Sequence, residues 1–371
     1  MSPVDRRLFL HMNWALLGLM AALFALGVLN LYSAGQFRLE EGMAVTPHYQ
    51  KQLLWGGIGL CSMIFFMLFD YRRLNAMAWP VFGLTVALLI AVLLVGRTSL
   101  GAKRWLDLGF VNVQPSELAK ISILLLGARL LAREQAKLGF ARLFSILSVG
   151  FALTLLIALE PDLGSGLSIL LLLGGMVMFR GLTSRVFKTL VAAAPFALVG
   201  GWFILHDYQK RRILGFLNPA DDPLGSGYHI IQSQIAIGSG RFWGKGFLGG
   251  TQSHLRFLPE KHTDFAVAVF CEEWGFFGSM LLLILFCAFL YQLVVIAREA
   301  KDAFGCYLAA GVFFYFFWQI LINTGMVLGL MPVVGIPLPF FSYGGSSTLV
   351  NFSLIGIALN VSMRRYIFKQ A

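Results

Sequence analysis

Charged residues are scarce in this chain. Only 13% of its 371 residues are Asp, Glu, Lys or Arg, whereas 58% are hydrophobic and the mean hydropathy is +0.77. Soluble domains carry about 25% charged residues, so a chain with this balance cannot cover its surface in water. The composition excludes a soluble globular protein and predicts an all-α polytopic membrane protein.

Cysteine is also scarce, with four residues in the whole chain and no paired CxxC spacing. A disulfide framework and a cysteine metal centre are therefore excluded. His254 and His262 have no third ligand at motif spacing, so no metal motif is predicted, and a site that they share with Asp264 stays open as a weak alternative. A convincing A-x-A cleavage site after the first apolar run is lacking too, which predicts a retained helix and not a removed signal peptide.

Apolar runs fill most of the chain. A membrane span needs about 20 apolar residues. Ten candidate runs satisfy this approximately: 14–34, 53–69, 76–96, 117–132, 143–159, 163–179, 186–205, 265–297, 303–328 and 346–363. They predict a single membrane domain over residues 1–371, with one long loop at about 206–263 that carries short surface helices.

The orientation follows from the basic residues of the connections. More than half of the 29 Lys and Arg residues fall in segments on the same side as the N-terminus. This bias predicts that both termini are cytoplasmic and that the long loop is extracytoplasmic. The net charge of +11 is spread along the connections and not gathered on one face, which excludes a nucleic-acid-binding protein.

The eighth run is too long for a plain span. Its 33 residues would extend about 50 Å as a helix, against about 30 Å of hydrocarbon. We expect its first third to stand outside the hydrocarbon or to line a water-filled cavity, with Glu272 and Glu273 still near water. These two residues would line the cavity or anchor the helix where it enters the lipid.

Polar residues gather in the connections of one side, at 96–117, 160–166, 256–265 and 337–347. A transporter is expected to hold its polar groups near the membrane midplane on broken helices. Grouping at one face favours a site reached from the outer leaflet.

Two candidate groups have both a structural and a functional interpretation. Glu117 and Lys120 are three residues apart on one helix face, as in a structural ion pair or a membrane-edge site. Glu160 and Asp162 flank a proline before a span. Asp162 is a good N-cap, and it is also a candidate substrate contact.

The two remaining candidate groups also start helices. In SYGGSS, the hydroxyls of Ser342 and Ser346 would cap a span, or the backbone N–H groups around Tyr343 would bind an anion. Asp264 is either an N-cap or, beside Lys261 and His262, a general base at the edge of a membrane cavity.

Nearby cations suit a phosphorylated substrate. Arg104, Lys103, Lys120, Arg256 and Lys261 could offset the charge of a phosphate or pyrophosphate, while a carboxylate takes a proton from a hydroxyl. Three functions stay open on these grounds: a transferase that uses polyprenyl-linked sugars, a lipid or ion transporter, and a non-catalytic scaffold.

Six motifs carry a family resemblance: GAKRWLDLG, QPSELAK, EPDLGS, NPADDPLGSGYHIIQSQIAIGSG, GTQSHLRFLPEKHTDF and MPVVGIPLPFFSYGGSS. In this order they resemble the SEDS family (shape, elongation, division and sporulation) of bacterial cell-wall polymerases, from the first span to the last. DPLGSGYHIIQS, FDYRRL and VVGIPLP are closer to the RodA-type elongation group than to the FtsW-type septal group.

The resemblance implies a ten-helix glycosyltransferase of the cytoplasmic (inner) membrane, with its active site on the extracytoplasmic side. Such an enzyme polymerises lipid II into β-1,4-linked glycan, inverts the donor N-acetylmuramic acid and releases undecaprenyl pyrophosphate. Its usual partner is a class B penicillin-binding protein, a transpeptidase. An FtsW-like septal polymerase and a lipid II flippase remain alternatives.

The resemblance also implies roles for residues. The family's essential aspartate corresponds to Asp264, the expected general base, and its Glu/Lys pair corresponds to Glu117 and Lys120. The further expected substrate contacts are Arg104, Asp162, Lys261, His262, Ser342, Tyr343 and Ser346. A divalent cation (Mg or Mn) could help to neutralise the phosphate charge, although the sequence shows no dedicated set of ligands for one.

Overall fold

The computed structural model describes residues 11–40, 47–99, 102–107, 112–160, 162–205, 207–219, 225–254 and 262–365. Ten helices of 18 residues or more are found in these ranges. They are α1 (Trp14–Glu40), α2 (His48–Leu68), α3 (Tyr71–Val95), α4 (Pro115–Ala132), α5 (Phe140–Leu159), α6 (Leu163–Arg180), α7 (Ser184–Ile204), α11 (Ala266–Arg298), α12 (Ala303–Val327) and α13 (Gly345–Met363).

The long helices coincide with the ten predicted spans. Eight of them, as far as the structure describes them, are long and apolar enough to cross a membrane. The other two, α4 and α6, have 18 residues each. In α4, the charged residues Glu117, Lys120 and Arg129 make the helix less apolar. The prediction of an all-α polytopic membrane protein is confirmed.

The described part of the predicted long loop contains three short helices: α8 (Asp207–Leu217), α9 (Ser226–Ser239) and α10 (Thr251–His254). Short helices in this loop were expected. The side of the membrane on which the loop lies stays a prediction.

A small antiparallel sheet, which was not predicted, precedes α4. Its strands are β1 (Arg97–Ser99), β2 (Ala102–Asp107) and β3 (Asn112–Val113), in the order β1-β2-β3. Thr98 lies opposite Lys103, and Leu106 lies opposite Val113. The hairpin signal, two short runs separated by residues that include a glycine, stands between two apolar spans and is easily overlooked.

The helices differ strongly in burial. Helix α13 packs along α2 and is buried almost throughout, while α4 and α12 pack against each other in the interior. Helix α7 is exposed over nearly its whole length. Polar residues inside α13 have partners: Asn351 accepts a hydrogen bond of 2.8 Å from the Tyr315 hydroxyl, and Asn360 donates to backbone carbonyls of α2 and the residue after it. The protein core therefore surrounds α4, α12 and α13.

Helix α11 is broken at Gly275. This residue has φ 62° and ψ −160°, a conformation that is essentially restricted to glycine. A helix that breaks inside a membrane protein leaves backbone N–H and C=O groups without their usual partners, and each unpaired group costs several kcal/mol in hydrocarbon. The break therefore requires another part of the chain to supply hydrogen bonds.

Residues 240–246, which we call the inserted loop, supply them. Four backbone hydrogen bonds join it to the break: Lys245 N to Glu272 O (3.1 Å), Gly246 N to Glu273 O (3.0 Å), Phe276 N to Arg241 O (2.9 Å) and Phe277 N to Phe242 O (3.2 Å). The approach is so close that a Cβ atom on Gly275 would lie 2.3 Å from Gly244 N. The 33-residue helix is thus two helical pieces joined by a loop that is distant in sequence.

The prediction that Glu272 and Glu273 lie near water is wrong. Their exposed fractions are 0% and 1%. Glu272 accepts hydrogen bonds from Lys245 Nζ (2.6 Å) and Thr251 N (2.8 Å), and Glu273 accepts one from the Ser33 hydroxyl of α1. The two carboxylates hold the inserted loop and α1 to the first piece of α11, which is buried in protein.

A substitution tests the break. We expect Gly275→Ala to destabilise the protein by about 1–3 kcal/mol through backbone strain alone, and by more through the clash with Gly244. Gly174→Ala in α6 is the matched control, because a Cβ atom there meets no atom within 4 Å. Melting temperatures of both variants in detergent measure the difference. Equal melting temperatures would contradict the required glycine conformation.

Candidate active site

The connection between α12 and α13, residues 328–344, forms the centre of the candidate site, and we call it the central loop. It has no regular helix, yet Ile336, Leu338 and Phe341 are buried in it. Irregular backbone at membrane depth persists only where protein groups or water satisfy it. The central loop therefore requires hydrogen bonds from the protein groups around it.

Side chains from two helices and from the loop itself satisfy the central loop. Asn323 Nδ2 of α12 donates to Ile336 O (2.8 Å), and the Ser342 hydroxyl accepts from Leu338 N (3.0 Å). Arg212 of α8 donates to the carbonyls of residues 333 and 334, at 3.2 Å each. Neither Asn323 nor Arg212 was predicted. The sequence signal for Asn323 was a polar residue in an apolar helix. The signal for Arg212 was weak, because it is one of several basic residues in the same loop.

Asp264 is half-buried beside the central loop. Its carbonyl accepts a hydrogen bond of 3.0 Å from Asn323 Nδ2, the amide that also bonds Ile336 O. A Cβ atom on Gly335 would lie 3.5 Å from Asp264 Oδ2, so the carboxylate faces the loop. Helix α11 has Phe265 as its N-cap and no capping side chain, so the N-cap interpretation of Asp264 is wrong.

His262 and Tyr343 are brought together by an aromatic cluster. The ring of His262 stacks on His48 of α2 with centroids 4.3 Å apart, and His48 meets Tyr343 edge-on at 5.0 Å. Tyr343 N donates to His262 O at 2.8 Å. Burial raises the pKa of the Tyr343 phenol, so the hydroxyl stays protonated and can donate a hydrogen bond. Two motifs about 80 residues apart in sequence therefore form one surface.

Helix α13 starts without the expected serine cap. Its N-cap is Gly344, and no side-chain hydrogen bond caps it, which corrects the capping interpretation of Ser342 and Ser346. Both serines are buried. The start is held instead by Gln52 of α2, which donates to Ser342 O (3.3 Å) and accepts from Gly344 N (3.3 Å). Sequence reasoning missed Gln52, a single polar residue in an apolar run.

Glu117 and Lys120 form a buried ion pair. Lys120 Nζ lies 2.5 Å from Glu117 Oε1, and both side chains are less than one-tenth exposed. The ammonium also lies 5.9 Å from the centroid of the Tyr315 ring, within cation–π range. Glu117 Oε2 has no hydrogen-bond partner among the described residues. The predicted ion pair exists, and its position at the start of α4 also leaves it beside the polar connections.

Asp162 joins two motifs. It caps α6 by accepting from Ser165 N (3.2 Å), as one of its two interpretations predicted. Its second oxygen accepts from Gln114 Nε2 (3.0 Å) and the Ser116 hydroxyl (3.3 Å). The start of α4, where Glu117 lies, is thereby fixed to the start of α6.

Glu160 is an unusual carboxyl group next to this junction. It is fully buried, and neither carboxyl oxygen has a hydrogen-bond partner in the described part of the chain. Burial raises its pKa to about 8, Asp162 adds to the shift, and Arg104 opposes it. Arg104 Nε also donates to the Glu160 carbonyl at 3.3 Å. Glu160 is therefore largely protonated at neutral pH, which sequence alone did not reveal.

The central loop links the two halves of the site. A Cβ atom on Gly164, at the start of α6, would lie 3.1 Å from Val334 O, and the next residue, Gly335, faces Asp264. The start of α6, next to the junction of Asp162, Glu160 and Arg104, and the Asp264 carboxylate therefore approach neighbouring residues of the loop. Lys261 and Arg256, also predicted to belong here, lie outside the described residues.

Metal ligands do not cluster in the ranges that the structure describes. No group of three His, Cys, Asp or Glu side chains there could hold a metal ion. Lys103 is exposed on β2. The polar parts present are a half-buried carboxylate, a buried ion pair, a protonated carboxyl group and an arginine.

Comparison with known proteins identifies the family. Residues 13–367 match the model of the FtsW/RodA/SpoVE family of cell cycle proteins. The chain belongs to this family. It is 40% identical over 359 residues to the peptidoglycan glycosyltransferase MrdB of Escherichia coli strain K12, covering 96% of this chain and 94% of that protein. It is 31% identical to the peptidoglycan glycosyltransferase RodA of Treponema pallidum, covering 95% and 98%.

Solved structures agree. One similar chain, from a peptidoglycan synthase complex described as coordinating polymerization and crosslinking, has a TM-score of 0.81 and 33% identity over 96% of this chain and 98% of that one. Thermus thermophilus RodA, described as a rod shape determining protein, has a TM-score of 0.71 and 30% identity over 96% and 98%. Together with the apolar helices, these likenesses indicate a multi-pass inner-membrane protein of the SEDS family.

The ion pair predicts non-additive stability. Lys120→Met leaves the Glu117 carboxylate buried without its partner, which costs about 3–5 kcal/mol. The double variant Glu117→Leu/Lys120→Met removes both charges, so we expect it to be more stable than Lys120→Met alone. Melting temperatures of the single and double variants in detergent test this coupling. Additive losses would show that the two side chains do not interact.

Glu160 predicts a pH dependence of stability. Its ordinary pKa of 4.5 applies to the unfolded chain, while the folded pKa is about 8. As the pH rises between these values the unfolded chain loses a proton that the folded protein keeps, so stability falls through this window. Glu160→Gln removes that loss. We expect the variant's advantage in melting temperature to be larger at about pH 9 than at about pH 4, and an unchanged advantage would contradict the raised pKa.

Proposed function

We propose that the chain is a glycosyltransferase that polymerises lipid II into β-1,4-linked peptidoglycan glycan strands during cell elongation, on the outer side of the inner membrane. The support is twofold. The family relatives MrdB and RodA are named as peptidoglycan glycosyltransferases. In this chain, the half-buried Asp264 carboxylate faces the central loop, and the start of α6, which follows Glu160 and its partner Arg104, approaches the same loop at Gly164.

Asp264 is the proposed general base. It takes the proton from the 4-hydroxyl of the acceptor N-acetylglucosamine, and that oxygen attacks the anomeric carbon of the donor N-acetylmuramic acid with inversion. A base must hold a defined position within hydrogen-bond reach of the proton it takes. The Asn323 amide supplies that constraint, because it fixes both the Asp264 backbone and the loop that the carboxylate faces. These two hydrogen bonds from the Asn323 amide are the observation on which the proposal chiefly rests.

The leaving group is undecaprenyl pyrophosphate, on which negative charge grows in the transition state. Arg104, Lys120 and Lys261 are the proposed stabilising cations. Glu117 orients Lys120 inside the bundle, since Lys120 Nζ and Glu117 Oε1 are 2.5 Å apart. Because Glu160 is protonated, its side chain adds no negative charge beside Arg104.

The other predicted residues have positioning or binding roles in this proposal. His262, Tyr343, Ser342 and Ser346 are the proposed sugar or phosphate contacts, and Asp162 holds the start of α4 to the start of α6. A class B penicillin-binding protein is the proposed partner that crosslinks the product. This is consistent with the similar chain found in a synthase complex that joins polymerization to crosslinking.

Transport of lipid II across the bilayer is the second candidate. The broken helix α11 favours it, because discontinuous helices commonly form transporter sites. Here, however, the inserted loop supplies four backbone hydrogen bonds to the break, and the predicted site residues lie near the starts of α4, α6, α11 and α13. Polymerisation therefore accounts for more features of the site than transport does. A polymerase that acts at the septum is the nearest alternative to one that acts in elongation.

The deciding experiment is a glycan assay with the purified full-length protein, its partner and fluorescent lipid II in liposomes. We expect Asp264→Asn to lower the polymerisation rate by at least about 100-fold with little loss of stability. Asp207→Asn is the matched control, since Asp207 is exposed at the start of α8, and it should polymerise normally. Polymerisation by Asp264→Asn at the wild-type rate would refute the base, and lipid II transport without polymer would favour the second candidate.

A further inference from the structure

A second polar cavity lies at the other end of the bundle, and we call it the arginine cavity. It has a volume of about 320 Å³, and the residues that line it include Arg72 and Asn75 of α3, Arg129 and Arg133 at the end of α4, and Asp302 and Phe304 at the start of α12. Arg129 lies twelve residues after Glu117 in α4, which is about 18 Å along a helix. The cavity is thus separate from the candidate active site and lies on the face predicted to be cytoplasmic.

The charges of the arginine cavity are unbalanced. None of its three arginines forms a salt bridge among the described residues. The one carboxylate, Asp302, is used by its neighbours: Oδ2 accepts from the Tyr71 hydroxyl (2.6 Å), and Oδ1 accepts from Gly305 N (2.7 Å) as the cap of α12. Three guanidinium groups therefore face one carboxylate whose hydrogen bonds are directed elsewhere.

The guanidinium group of Arg129 is held in place on one side and, among the described residues, has an unpaired donor on the other. Its Nη1 donates to the Asn75 carbonyl, which fixes the guanidinium between α3 and α4. Its Nε is buried and has no hydrogen-bond partner in the part of the chain that the structure describes. A buried donor without a partner is costly, and an anion in the cavity would remove that cost. Arg72 and Arg133 are exposed at the rim, where they can close on the same anion.

We propose that the arginine cavity binds a phosphate group, which either an anionic lipid of the adjacent leaflet or a free phosphate ion supplies. Guanidinium groups bind phosphate oxygens in pairs, with a geometry that an ammonium group cannot match. Basic cavities between membrane helices on the cytoplasmic side are suited to anionic head groups. The buried Phe304 gives the cavity an apolar wall next to its charges.

The test measures binding and not polymerisation. Full-length protein in neutral detergent is titrated with phosphatidylglycerol, with phosphatidylcholine and with inorganic phosphate, and bound species are counted by native mass spectrometry. Arg72→Gln/Arg133→Gln is the test variant, because it leaves the bond from Arg129 to Asn75 intact. Arg185→Gln/Arg298→Gln is the control, because it removes the same charge from exposed positions on the same predicted face.

We expect phosphatidylglycerol to bind the test variant about 30-fold more weakly than the wild type and the control, and phosphatidylcholine to show no such difference. Competition by inorganic phosphate at similar concentrations would support the phosphate site and identify a free ion as its ligand. Equal binding of phosphatidylglycerol by all three proteins, or no binding of either phosphate probe to the wild type, would overturn the proposal. Melting temperatures confirm that each variant is folded.

Discussion

Unpaired backbone groups are the strictest constraint on a protein in a membrane, and the break at Gly275 in α11 creates several of them. The inserted loop satisfies them with four backbone hydrogen bonds, while Glu272 and Glu273 tie that loop and α1 to the same place. The first piece of α11 is therefore locked into the protein interior, and Asp264, two residues before it, has a fixed position.

The central loop follows the same rule by a different route. Several of its carbonyls and N–H groups bond to side chains, notably those of Asn323, Arg212 and Gln52, and Tyr343 N donates to the carbonyl of His262. A chain segment held by side chains from several helices brings polar groups of those helices together. The candidate active site is thus a consequence of satisfying irregular backbone in a low-dielectric interior, where each charged group also acts more strongly than in water.

The ionisable side chains inside the bundle are found in three different states. Glu117 and Lys120 neutralise each other at 2.5 Å, and Glu160 takes up a proton. The arginines of the second cavity remain without salt-bridge partners in the described structure, at the opposite end of α4. Compensated charge lies in the candidate active site, and uncompensated charge lies in the arginine cavity, where the proposed ligand would supply the balance.

Sequence predicted the spans well because hydropathy is a local property of the chain. The break at Gly275 was out of reach, since one glycine in an apolar run is common and only its contact with the inserted loop makes it necessary. The prediction that Glu272 and Glu273 lie near water was wrong for the same reason, because their hydrogen-bond partners, residues 33, 245 and 251, lie elsewhere in the chain. Asn323 and Gln52 were missed because their value depends on a loop whose path cannot be read from its composition.

A structure of the Asp264→Asn protein bound to lipid II in both donor and acceptor positions would test the central claim most directly. The account predicts the acceptor 4-hydroxyl within about 3 Å of the side chain at position 264, with the donor pyrophosphate on the side of Arg104 and Lys120. An acceptor bound out of reach of position 264, or a pyrophosphate bound away from both cations, would contradict it.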